Sequence, residues 1–296
     1  MEHREGSLKG VRGLDLYYQS WHPFGKPDAI VVILHGLGSH SGLFSNVFKH
    51  LVRAGYAVYG LDLRGHGRSQ GQRGHITSWS EFREDLRAFL KLIEAQEHRC
   101  PRFLLGHSLG GLIILDYVLR VPTGIQGVIT MAPPLGKIGI SPVQLTLGRT
   151  LSQVMPRFAL NTSFARSRVS REESVLATLR QDRYMHSRGS ARLATEFLDT
   201  VAWIQSHAND LQVPILILHG EADQVALPEG SRIFFEKIGF PDKERYEYSE
   251  SCHALHHDLN YQEILADIED WLERHIKGGT VLPFRQRTVL DEYMLG

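Results

Sequence analysis

The stretch Arg102-Phe103-Leu104-Leu105-Gly106-His107-Ser108-Leu109-Gly110-Gly111-Leu112-Ile113-Ile114-Leu115 decides how the rest of the chain is read. It begins as a short apolar run and ends, through Arg120, as a segment with helical apolar spacing. Between the two lies Gly-x-Ser-x-Gly. A serine so placed ends a buried strand and opens a helix, and the sharp turn lifts its hydroxyl above the edge of a sheet. The bare motif is weak, since about one chain in ten of this length holds a chance match at ordinary Gly and Ser abundance. A second match, Gly67-Arg68-Ser69-Gln70-Gly71, lies among glycines with no helical run after it. Ser108 therefore fits the turn and Ser69 does not.

Four more apolar runs flank this one: AIVVILHG at 29–36, YAVYGLDLRG at 56–65, GVITMAP at 127–133 and PILILHG at 214–220. They lack strict alternation, as strands buried on both faces of a parallel sheet do. Helical periodicity separates them, and Ile264, Leu265, Ile268, Trp271 and Leu272 mark a late amphipathic helix. The alternation predicts an α/β fold with a mostly parallel central sheet flanked by helices. It breaks between Pro133 and Val213, where Val143, Leu147, Leu151, Val154 and Phe158 form a helical apolar stripe. Further helical stretches are expected around 172–182 and 191–207. The alternatives are an insertion over the ligand crevice at the carboxyl ends of the strands, or a segment that completes the core. We expect the former: core 1–133 and 208–277, a helical cap over 134–207, and a tail, 278–296, without an assigned role.

A serine hydroxyl needs a base within reach, oriented in turn by a buried acid. In this fold the chain order is serine, then acid, then histidine. Asp223, just beyond the run ending at Leu218, is the expected acid, with Glu221 as the second candidate. His253 follows a plausible edge strand, Arg245–Ser249, where the base belongs. His253 and His257 stand four apart, a spacing that also suits a metal, but no Glu completes H-E-x-x-H and Cys252 has no partner thiol at zinc spacing. No metal or cofactor is expected; His256 and His257 read as supporting residues. His66 and His75 read as hydrogen-bonding loop residues. Acyl transfer needs two backbone amides aimed at the developing oxyanion, and the expected pair is Leu37 and Leu109.

Composition removes whole classes. With 296 residues, 42% apolar and 22% charged, the chain reads as an ordinary soluble globular protein of one large or two small domains. Its 33 basic and 33 acidic side chains leave no net charge for broad capture of nucleic acid. Two distant cysteines, Cys100 and Cys252, make no disulfide framework. No apolar leader or membrane-length run is read, so a cytoplasmic, soluble or peripheral protein is expected.

HGLGSHSGLF, DLRGHGRSQG, GHSLGG, GEAD and the CHALHHD stretch, in this order, resemble the monoacylglycerol lipase and bacterial lysophospholipase branch of the serine α/β-hydrolases. The likeness spans roughly residues 10–276. It implies Ser108, Asp223 and His253 as the triad, Leu37 and Leu109 as the oxyanion hole, a helical cap at about 134–207, and His40 as a structural or pathway residue near the nucleophile. The expected activity is hydrolysis of single-chain lipid esters through an acyl-enzyme. The alternatives are a lysophospholipase, a short-chain carboxylesterase, a peptidase or a non-catalytic binding protein. The apolar stripe of the cap could line an acyl channel.

The neutral total hides an asymmetry. No Asp or Glu occurs from Tyr117 to Arg171, while Arg120, Lys137, Arg149, Arg157, Arg166, Arg168 and Arg171 lie there. A basic amphipathic cap reads either as a peripheral membrane contact or as a solvated helical face.

Overall fold

The computed structural model describes residues 1–97, 100–121, 124–136, 142–161, 169–277 and 285–289. Two antiparallel strands, β1 (Glu2–Lys9) and β2 (Asp15–His22), open the chain, where the apolar runs give no sign of strands. Most β1 side chains are exposed, so the main-chain ladder from Glu2↔His22 to Lys9↔Asp15 holds it in place. Such a strand leaves no hydrophobic signature.

Next come β3 (Ile30–Leu34), α1 (Ser45–Arg53), β4 (Ala57–Leu61), α2 (Ser80–Gln96), β5 (Arg102–His107), α3 (Leu109–Arg120) and β6 (Gly127–Met131). The segment before the next core strand holds α4 (Pro142–Val154), β7 (Ala159–Asn161), α5 (Glu173–Gln181), β8 (Arg188–Ser190) and α6 (Ala191–Ser206). Then β9 (Ile215–Gly220), α7 (Pro228–Lys237), β10 (Lys243–Tyr248), α8 (Tyr261–Ile276) and β11 (Arg285–Val289) complete the chain. The nine-stranded sheet runs β1-β2-β4-β3-β5-β6-β9-β10-β11 and is parallel from β4 to β11.

Every residue of β3, β4, β6 and β9 is buried, which accounts for their unbroken apolar runs. Alternate side chains still part to opposite faces. Ile30, Val32 and Leu34 pack with Phe82 and Phe89 of α2 and Ile113 of α3, whereas Val31 and Ile33 pack with Phe48 of α1 and Trp271 of α8. Burying each such aliphatic side chain contributes ~1.5–3 kcal/mol before the entropy of ordering is subtracted.

The three helical stretches read between Pro133 and Val213 match α4, α5 and α6, and a two-stranded antiparallel ribbon, β7 with β8, lies among them. The stripe on α4 points the other way from the expectation. Leu147 is 68% and Val154 74% exposed, and Phe158 beyond the helix is also exposed. The side of α4 that meets α6 carries Ser152, whose hydroxyl lies 2.8 Å from that of Thr195. Pattern alone places a stripe on a helix but does not say which neighbour it meets. Residues 285–289 of the tail, for which no role was expected, add β11 to the sheet edge in parallel register with β10. Among the described residues no helix is long and apolar enough to cross a membrane.

Candidate active site

Ser108 occupies the junction of β5 and α3 with φ 54° and ψ −118°, a left-handed conformation that costs a non-glycine residue about 1–3 kcal/mol. Its amide donates to Met131 O at 2.9 Å, which fixes the turn to the neighbouring strand. The flanking glycines permit the turn by letting backbone approach backbone. A Cβ on Gly106 would lie 2.6 Å from the carbonyl carbon and oxygen of Gly110, and one on Gly110 would collide with the carbonyl of Leu34. By contrast, the Ser69 hydroxyl is buried, donating to Asp62 O at 2.5 Å and accepting from Tyr17 N, a structural role.

The loops after β9 and β10 bring the other two expected residues together. His253 Nδ1 donates to Asp223 Oδ2 at 2.7 Å, and both side chains are buried. With the proton on Nδ1, Nε2 is left as the basic nitrogen. Asp223 Oδ1 accepts from the amides of Val225 and Ala226 at 2.8 and 2.9 Å. Burial by itself raises the Asp223 carboxyl, but hydrogen bonding from His219, His253 and Ala226 outweighs it and holds the group well below the ordinary carboxylate range. Glu221, the second candidate, is exposed, and among the described residues its carboxylate accepts from Ser249 Oγ alone, at 3.3 Å. Depth separates the two carboxylates: one faces inward, the other faces water.

Leu37 lies in the loop after β3, and Leu109 is the first residue of α3. Among the described residues no acceptor takes either amide. The Leu37 loop is clamped from the segment between α5 and β8: His186 N donates to Gly38 O at 3.0 Å, and Gly38, at φ +74°, leaves no room for a Cβ against the His186 carbonyl. His40 Nε2 donates to Asp182 Oδ2 at 2.9 Å while its Nδ1 accepts from Gly42 N. His40 therefore joins the loop to the inserted segment.

Ser108, His253, Leu37 and Leu109 all line one cavity of about 550 Å³. Its walls are largely apolar, with Leu179, Met185, Leu193 and Phe197 from the inserted segment and Leu43 and Val225 from the core. No described residue of α4 lines it, so among the described residues α5, the segment 185–189 at the start of β8, and α6 form the roof. His256, stacked on Phe44 at 4.3 Å, and His257 lie at the inner wall. Among the described residues no cluster of His, Cys, Asp and Glu is placed to hold a metal ion. His66 donates through Nδ1 to Arg64 O, and His75 Nδ1 pairs with Ser190 Oγ at 2.9 Å. The roof residues Met185, His186 and Phe197 were missed in the sequence, because no motif marks them and only the return of the segment over the crevice makes them neighbours of Ser108.

Residues 25–260 match the Hydrolase_4 family, described as "Serine aminopeptidase, S33", and the chain belongs to that family of serine α/β-hydrolases. Among its relatives, a monoacylglycerol lipase of Mycolicibacterium smegmatis is 30% identical over 92% of this chain and 98% of its own. The crystal structure of Paleococcus ferrophilus monoacylglycerol lipase superposes with a TM-score of 0.78 at 30% identity, over 93% of this chain and all of that one. A soluble variant of monoglyceride lipase from Saccharomyces cerevisiae, in complex with a substrate analog, shares the fold with a TM-score of 0.83 at 23% identity, over 91% of this chain and 94% of that one.

Proposed function

We propose that the protein hydrolyses carboxylic esters of single-chain lipids, monoacylglycerols foremost, through an acyl-enzyme on Ser108. The observation that carries this reading is the buried Asp223–His253 hydrogen bond beside Ser108 in an apolar cavity of about 550 Å³. His253 Nε2 takes the Ser108 proton as Oγ attacks the ester carbonyl, and the amides of Leu37 and Leu109 receive the oxyanion. Each such donor supplies a factor of about 10²–10³ in rate. As the tetrahedral intermediate collapses, the imidazolium protonates the departing glycerol oxygen. Water, deprotonated by the same nitrogen, then releases the fatty acid. Asp223 stays ionised throughout and stabilises the imidazolium.

The family description raises a peptidase as the competing activity. An aminopeptidase must bind the substrate's ammonium group, and among the described residues no Asp or Glu lines the cavity. Burying that charge without a partner is strongly unfavourable. Apolar walls from Leu179, Leu193 and Phe197 suit an acyl chain instead. The test is a panel of mono-, di- and triacylglycerols, lysophospholipids, aminoacyl amides and p-nitrophenyl esters of graded length, run with the native protein and Ser108→Ala. Turnover that survives Ser108→Ala, or aminoacyl amides as the preferred substrate, would overturn the proposal; lysophospholipids or short esters as best substrates would replace the head group or chain length only.

The finer reading places the enzyme in the cytoplasm, peripheral to a membrane, with contact through α4 and the residues after it. Leu147, Val154, Met155, Phe158 and Leu160 are exposed on this segment. The charge argument weakens, because Arg149 pairs with Asp199, Arg171 with Asp258 and Glu250, and Arg120 with Asp116. Lys137, Arg166 and Arg168 lie outside the described residues, and Arg157 is exposed with no ion pair among the described residues. Apolar insertion is therefore the main driving force. Sedimentation with zwitterionic vesicles should capture the protein, and Leu147→Ser with Val154→Ser should release it; equal binding by the double variant would refute the contact.

A further inference from the structure

His107 immediately precedes Ser108, at the buried end of β5, and no step described so far employs it. Its Nε2 lies 3.0 Å from the backbone carbonyl oxygen of His253. A carbonyl only accepts, so the His107 proton sits on Nε2 and Nδ1 is bare. The ring is boxed in: its centroid is 4.8 Å from the His253 ring, 4.9 Å from His256 and 6.3 Å from Phe44. A Cβ on Gly36 would lie 3.2 Å from His107 Nδ1 and 3.1 Å from Ser108 Cβ, so no larger residue at 36 leaves this ring undisturbed.

Near His253 the loop is also tied in other ways. The side chain is held by Asp223, the amide of Cys252 donates to Asp258 Oδ2 at 2.5 Å, and the amide of Ala254 donates to Val169 O at 2.8 Å. The first and the last anchor the loop to segments other than the strand that carries Ser108, and the second braces the loop from within. His107 alone among these ties starts from a residue covalently joined to the nucleophile.

We propose that His107 is a positioning residue: its Nε2–H holds the His253 backbone in register with the strained turn that presents Ser108. The inference rests on the roles assigned above to Ser108 and His253. A displacement of about 1 Å between reacting groups costs on the order of a hundredfold in rate, and a single hydrogen bond across the two loops controls that distance. The position also requires a neutral donor. A protonated His107 would put a second positive charge beside the imidazolium that His253 becomes in each half-reaction. Burial, and then the neighbouring His253, push the His107 imidazole down to about 3, so it is uncharged at working pH.

The experiment compares His107→Phe, which keeps a ring and loses the donor, with His107→Gln, whose side-chain amide places an N–H at similar reach. For a short p-nitrophenyl ester, His107→Phe should lower kcat on the order of a hundredfold with KM unchanged. The second-order labelling rate with a fluorophosphonate probe should fall by the same factor, because that reaction also needs the base. His107→Gln should restore both to within about tenfold of native, even if the two variants melt at the same temperature. Native rates in His107→Phe, or equal losses in both variants that track a common fall in Tm, would overturn the positioning role. Ser108→Ala separates the two levels of the argument: labelling that survives it refutes the Ser108 assignment itself, whereas an inert Ser108→Ala beside a fully active His107→Phe refutes only the role of His107.

Discussion

Asp223 and His253 are joined by a 2.7 Å hydrogen bond from Nδ1 to Oδ2, and the other oxygen of Asp223 is occupied by two backbone amides. The carboxylate is thus immobilised before any substrate arrives, and it fixes the tautomer of the imidazole. Asp223→Asn preserves the shape but removes the charge and presents the wrong partner to Nδ1–H. It should lower kcat by about 10⁴, and Tm should fall as well, because the fold favours the ionised carboxylate. Glu221→Gln, at the exposed carboxylate, should leave kcat near native. Steady-state kinetics on one p-nitrophenyl ester would check both, and a reversed ranking would move the acid to Glu221.

The turn at Ser108 depends on two glycines whose missing side chains are its main requirement. Gly106→Ala would set a methyl group 2.6 Å from the Gly110 carbonyl, backbone against backbone, where neither side can yield by changing a rotamer. Overpacking of this kind costs typically about 1–3 kcal/mol and here lies at the upper end. Urea unfolding should show that loss, and the fluorophosphonate labelling rate should fall with it. A variant with native stability would show that the turn does not depend on this close approach.

Four buried histidines tie stability to pH. Burial pushes His35 down to about 4 and His107 to about 3, and holds His66 and His256 well below the ordinary imidazole range. Each folded pKa lies below its unfolded value, so the unfolded chain binds more protons once pH falls under about 6.5. Stability is therefore fully present above pH 6.5 and declines as pH falls toward 4. Each group contributes a slope of at most about 1.4 kcal/mol per pH unit. The urea midpoint should drop between pH 7 and pH 5, and a flat profile would contradict the neutral assignment of these rings.

Acyl-chain selectivity should respond to the roof of the cavity rather than to α4. Ala194 of α6 faces the cavity alongside Leu193 and Phe197. Ala194→Trp should suppress turnover of long-chain esters by more than about tenfold and spare the acetate, since only the long chain needs that volume. Leu147→Ser on α4 should leave the chain-length profile of soluble substrates unchanged. The opposite pattern would restore the outward stripe of α4 to the acyl channel.

The sequence by itself determined the parallel core and the order of the chemistry. Strands such as Ile30–Leu34 and Ile215–Gly220 are buried on both faces, and that burial is written as unbroken apolar runs. The Gly106–Gly110 motif was legible because its context, strand before and helix after, is local. Where information is not local, the sequence stayed silent. Strand β1 is held by main-chain hydrogen bonds and shows no pattern, and β11 finds its place only by pairing with β10. Asp223 and Glu221 are two residues apart in the same loop, and only their depth separates them. The direction of the α4 stripe, the roof made by Met185, His186 and Phe197, and the hydrogen bond from His107 to His253 were decided by tertiary structure. Each depends on which distant segment packs alongside, a relation between surfaces that periodicity along one chain does not encode.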